Sequence, residues 1–93
     1  MNIQQAKEIV FIAVNEALEI KVEVTEDSRL VGHNSLLDSM KLVEVCLTLE
    51  DLADDNGFEF DWTSEDAMSK SRSMFRNVIS LAEEFSAQSN IKS

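Results

Sequence analysis

The sequence predicts an all-α fold: a small irregular four-helix bundle of three longer helices and one short one, with a long loop between helices 1 and 2. Pro is absent and Gly occurs only at positions 32 and 57, so little interrupts a helix. Apolar residues return at intervals of three and four along three stretches. The alternating Ile20, Val22 and Val24 suggest a strand, but no second run offers a clear partner, and a lone strand leaves its backbone groups unpaired. The 93 residues make one domain, 1–93, with an ordered core over about 2–87 and a tail that frays from about Gln88.

Each element has its own warrant. From Asn2 to about Leu18, Ile3, Ala6, Val10, Ala13, Val14 and Ala17 share one helical stripe, opposite Gln4, Lys7, Glu8, Asn15 and Glu16. Phe11 and Ile12 add apolar surface outside that stripe, so this helix should be covered over more than one face. Glu19 to Asp38 reads as a long ordered loop that Ile20, Val22, Leu30, Val31, Leu36 and Leu37 tack onto the helices; loops of this length in a compact domain are usually functional. The second helix runs from about Ser39 to Asp55, begun by Asp38-Ser39 and stopped by Asn56-Gly57. Its inner stripe is Leu42, Val45, Cys46, Leu49 and Leu52 or Ala53.

Phe58, Phe60 and Trp62 alternate in a short extended connection expected to fold over the end of the bundle. Thr63-Ser64-Glu65-Asp66 is a capping-box-like start for a short third helix reaching roughly Met68, and Ser69-Lys70-Ser71-Arg72-Ser73 reads as a polar turn. Phe75, Val78, Ile79, Ala82 and Phe85 then mark the last helix, with Arg76, Asn77, Glu83 and Glu84 outside.

Composition narrows the function. Eight basic against 18 acidic residues leave a net charge of −10, which phosphate backbones and anionic membranes repel and basic protein surfaces attract. A core this thin does not wall a deep catalytic cleft. No basic leader with an apolar core opens the chain, and no apolar run reaches the ~20 residues needed to cross a bilayer, so the cytoplasm is the expected compartment. The single Cys46 reads as a small core hydrophobe, and one cysteine builds neither a disulfide nor a thiolate metal cluster. The acidic run around Gly57 fails as a calcium loop. With Gly57 at the sixth place the first and twelfth ligands fall on Leu52 and Thr63, where Asp and Glu are needed. His33, the sole imidazole, has no metal-binding companions and no enclosed site to serve, so no chemistry is assigned to it.

The second helix is where chemistry concentrates. Ser39 falls in its first turn, at the positive end of the helix dipole, where a phosphate is well received. Met40, Val43 and Leu47 lie on a flank with Glu44, Glu50, Asp51 and Asp54. Apolar residues fringed by acids suggest a docking face; the other reading is a wide margin of the core stripe.

Leu37-Asp38-Ser39-Met40, followed by Val43-Glu44-Val45 and Leu49-Glu50-Asp51, resembles the modification motif and second helix of acyl carrier proteins, peptidyl and D-alanyl carriers included. In outline the resemblance spans residues 3 to 86, through the order helix, long loop, helix, short helix, helix; its specific part is the motif and helix two. Counted from Ser39, the Val-Glu-Val and Leu-Glu matches fall where the family has them; counted from Ser35 they vanish.

The resemblance implies a non-enzymatic carrier whose Ser39 bears 4′-phosphopantetheine from coenzyme A, with an acyl or aminoacyl thioester on the arm, as in fatty-acid or polyketide biosynthesis. It implies that Asp38 caps the helix and orients the site. Met40, Val43 and Leu47 become the apolar part, and Glu44, Glu50 and Asp51 the acidic part, of a face that meets a phosphopantetheinyl transferase, a loading ligase and acyl-using transferases or synthases. A monomer is expected, with no nucleic acid and no membrane insertion. Lys41 stands where many family members have an acid, and the Gly57 to Ser73 segment departs from the common form, so a specialised carrier is expected. The competing reading is an acidic helical interaction module that is never modified.

Overall fold

Asn2 starts the chain's first helix with a reciprocal cap. Its side-chain carbonyl accepts from the Gln5 amide at 2.8 Å while the Gln5 side chain accepts from the Asn2 amide at 3.1 Å. The computed structural model describes residues 1–18, 23–30 and 37–90, with the backbone alone at Ser39 and Arg72. Among these, four helices follow in order: α1 (Ile3–Ala17), α2 (Ser39–Asp55), α3 (Glu65–Met74) and α4 (Val78–Asn90). They form a small four-helix bundle, with no sheet among the described residues. Ile20, Val22, Val31 and Leu36 lie outside the described residues.

The stripe of α1 is made of small side chains. Ala6, Val10, Ala13, Val14 and Ala17 are all buried, and α1 packs against both α2 and α4. Ile3, assigned to this stripe by its spacing, is 40% exposed, while Met1 beside it packs on the core and bonds to Ser86 and Asn90 of α4. Of the two apolar residues beside the stripe, Phe11 packs partly against the core and Ile12 stays 52% exposed.

The loop after α1 acts at a distance. Its Glu26 and Ser28 carbonyls accept from the amides of Ile79 and Val78 at 3.0 and 3.2 Å, and Asn77 Oδ1 takes the Ser80 amide at 2.9 Å. The first amides of α4, which have no partner inside their own helix, are thus satisfied by a segment some fifty residues earlier in sequence. Arg29 and Asn77 form a single antiparallel bridge, and Leu30, anchored by its amide to the Arg76 carbonyl, is fully buried. Leu37 is buried at the far end of the same loop.

Helix α2 ends as its sequence foretells. Gly57 takes φ +84°, its amide bonds to Asp54 O at 3.1 Å, and the Phe58 amide bonds to Ala53 O at 3.0 Å, a Schellman closure. Phe58 and Phe60 then flank Phe85, with ring centroids at 5.1 and 5.2 Å.

Three boundaries differ from the sequence reading. Helix α3 runs through Ser69–Ser73 to Met74 rather than turning there. Ala67 and Met74 supply a buried stripe on that helix, and a serine costs a helix only a few tenths of a kcal/mol. Its cap is Ser64, whose hydroxyl accepts from Ala67 at 3.2 Å; position N3 is Ala67, so no reciprocal capping box forms. Phe75 is the C-cap of α3, not the first turn of α4, although it is buried as its spacing suggested. The last helix reaches Asn90, past the Gln88 where fraying was expected, because Gln88 bonds the Asp61 backbone in both directions at 2.6 and 2.8 Å and Asn90 donates to Met1 O at 3.1 Å.

Phe85 is fully buried between the two aromatics of the connection, so Phe85→Ala should lower the unfolding free energy by about 3–5 kcal/mol in urea titration. Ile12→Ala should change it by less than about 0.5 kcal/mol if the exposed side of α1 is assigned correctly.

Candidate functional site

The start of α2 is built by its own local chemistry. Asp38 is extended and its Oδ1 accepts from the Lys41 amide at 2.8 Å, the N-cap that the sequence expects. Ser39 is therefore the first helical residue, at the positive end of the dipole. Buried Leu37 fixes the chain just before it, while Asp38 and Met40 on either side are exposed, Met40 to 76%. The Ser39 side chain, Ser35 and His33 lie outside the described residues.

Along α2 the inner residues Val45, Cys46, Leu49 and Ala53 are buried, and Leu42 and Leu52 are half-buried at the edge. The residues assigned to a docking face emerge on the other side: Met40, Val43, Glu44, Leu47, Glu50 and Asp51 are all exposed. Lys41 Nζ lies 3.6 Å from Glu44 Oε2, a partly exposed pair one helical turn apart. The Cys46 thiol is pushed up to about 12, by burial first and by the Glu50 carboxylate second, so at neutral pH it is a protonated core group and no nucleophile.

Two hollows adjoin this face. One is an apolar groove of about 290 Å³ between α2 and α3, lined by Leu42, Val43 and Cys46 on one side and Met68, Ser71 and Phe75 on the other, with Trp62 as a further wall. The second is a wider depression of about 660 Å³ around Glu50, Asp51, Asp54, Glu59 and Asp61, with Phe58, Phe60 and Trp62 among its lining. Trp62 borders both, and its indole N–H donates to the Glu50 carboxylate. Among the described residues no group of three or more His, Cys, Asp or Glu side chains is arranged to hold a metal ion, and no helix is long and apolar enough to cross a membrane.

Trp62, Met68 and Phe75 belong to the site's surroundings and were not foreseen as such. The alternation Phe58-Phe60-Trp62 signalled packing without saying against what, and Met68 carried no local signal separating a groove residue from a core one. Comparison with family models, curated proteins and solved structures finds no match for this chain.

Asp61 holds the start of α3. The Ser64 hydroxyl donates to it at 2.5 Å, and the Ser64 and Thr63 amides at 3.1 and 3.3 Å. The hydroxyl bond first and the Ser64 amide second keep its carboxyl below the ordinary carboxylate range. A lowered pKa in the folded state means that this contribution is present above the unfolded value near 3.9 and is lost as pH falls through the folded one. Asp61→Asn should therefore flatten the fall of the urea midpoint with pH below about pH 4. Superposable acid limbs for variant and wild type would contradict the assignment.

Proposed function

We propose that this chain is a carrier protein, modified at Ser39 with 4′-phosphopantetheine and without catalysis of its own. The observation that carries the reading is the head of α2, where a serine stands at the first helical position behind an aspartate cap, between exposed neighbours. The residues there fit the group. A phosphodiester at a helix start meets the positive end of the dipole, and the neighbours Asp38 and Met40 are exposed. When attached, the arm supplies a thiol that holds an acyl or aminoacyl group as a thioester.

In the transfer, the Ser39 oxygen attacks the β-phosphate of coenzyme A on a separate, metal-dependent transferase. The new O–P bond forms as the pyrophosphate bond breaks, adenosine bisphosphate leaves, and the hydroxyl proton passes to a base on that enzyme. Asp38 holds the helix head in place meanwhile. Met40, Val43 and Leu47 offer partners apolar surface, and Glu44, Glu50 and Asp51 meet their Arg or Lys side chains. Exposed ion pairs contribute about 0–1 kcal/mol each, so docking is transient and weakened by salt, which suits a cytoplasmic monomer that visits several enzymes in turn. Ser39 shares a helix face with the groove residues Leu42, Val43 and Cys46, which follow it at i+3, i+4 and i+7. The departures at Lys41 and in the Gly57 to Ser73 segment favour a specialised member of the class over a general fatty-acid carrier.

The exposed acidic and apolar face serves an unmodified interaction module equally well, and Ser39 separates the two. Incubated with coenzyme A and a broad-specificity phosphopantetheinyl transferase, the wild type should gain the mass of one phosphopantetheine and Ser39→Ala none. A wild type that stays unmodified with several such transferases would rule the carrier reading out in favour of the module.

A further inference from the structure

Trp62 is a partition. It lines both the apolar groove beside Val43 and Cys46 and the acidic depression around Glu50 and Asp54. The backbone just before it is fixed, since both backbone groups of Asp61 are bonded to Gln88 on α4. The side chain is held differently. An indole has one polar group, a donor, and here it is given to the carboxylate of Glu50. Glu50 is itself exposed on the outer face of α2, with Asp51 and Asp54 near it in a chain of net charge −10. A guanidinium arriving there is drawn by the field and binds a carboxylate through two parallel charge-assisted bonds, which one neutral N–H donor cannot match.

We propose that Glu50 and Trp62 form a latch on the α2–α3 groove, released when a cationic side chain of a docked protein takes the Glu50 carboxylate and the indole swings from the groove wall. The inference rests on the docking-face reading above. The same face then does more than hold a partner, because arrival of a basic protein opens the apolar groove. Phe58 and Phe60 are packed ring to ring on Phe85, whereas Trp62 is half-buried against the same core with its polar end tied to the exposed Glu50.

The chain carries its own probes. Trp62 is its only tryptophan and it has no tyrosine, so its emission reports the indole alone, while Cys46, fully buried on the groove wall, reports opening by its alkylation rate. The full, unmodified chain is titrated at low salt with a dye-labelled hexa-arginine peptide whose anisotropy measures binding. At saturation, Trp62 emission should shift to the red, and alkylation of Cys46 by N-ethylmaleimide should accelerate about tenfold, the gain in open population when one charge-assisted hydrogen bond is lost. Glu50→Gln keeps an acceptor for the indole but removes the charge, so it should begin at the wild-type emission and stay there when peptide is added. Glu50→Ala should be red-shifted before any peptide and alkylated at Cys46 faster than Glu50→Gln, which loses the same charge beside the thiol but keeps the acceptor, with unchanged far-ultraviolet circular dichroism. Peptide that binds without moving either probe, peptide that does not bind, or Glu50→Ala that behaves as wild type would each overturn the latch. Because no arm is attached in this experiment, the latch can fail while Ser39 is still modified, and the reverse.

Discussion

The domain depends on one constraint: α1 has to be covered on two sides at once. Its inner residues are alanines and valines, all buried, and both α2 and α4 pack against it. Small side chains let helix axes approach closely, and close approach makes a thin core sufficient for 93 residues. The larger groups then gather where the helices diverge, with Phe85 on α4 meeting Phe58 and Phe60 from the connection after α2. Removing water from apolar surface stabilises this arrangement at roughly 25 cal/mol per Å².

What α1 takes from α2 determines what α2 has left. Val45, Cys46, Leu49 and Ala53 are committed to the core, so Met40, Val43 and Leu47 remain outside among carboxylates. The long loop and the aromatic connection, neither of them regular, then act as fasteners. The first satisfies the opening amides of α4 from Glu26 and Ser28; the second sends Trp62 to Glu50. The groove between α2 and α3 is bounded by that second fastener.

How much of this could be read from the sequence depends on how local its cause is. The limits of α2 are set by Asp38 at one end and Asn56-Gly57 at the other, side-chain and backbone preferences acting within a few residues, and they were legible to the residue. The end of α3 was not, because a run of serines with Lys70 and Arg72 has weak preferences of its own and becomes helical when Ala67 and Met74 are covered. Phe75 fits the spacing of Val78, Ile79, Ala82 and Phe85 so well that only the Asn77 cap and the carbonyls of Glu26 and Ser28 reveal a break between them. Those carbonyls, and the Trp62–Glu50 bond across 12 residues, are long-range contacts for which no local pattern exists. The candidate site shows the same division: the helix head and the acidic flank were legible, the groove and its Trp62 wall were not.

On the proposed function, the first residue of α2 carries the arm. The most direct measurement is fragmentation mass spectrometry of the peptide spanning residues 30–41 after enzymatic modification of the intact chain. Phosphopantetheine is expected on Ser39, behind its Asp38 cap. Phosphopantetheine on Ser35 would contradict it.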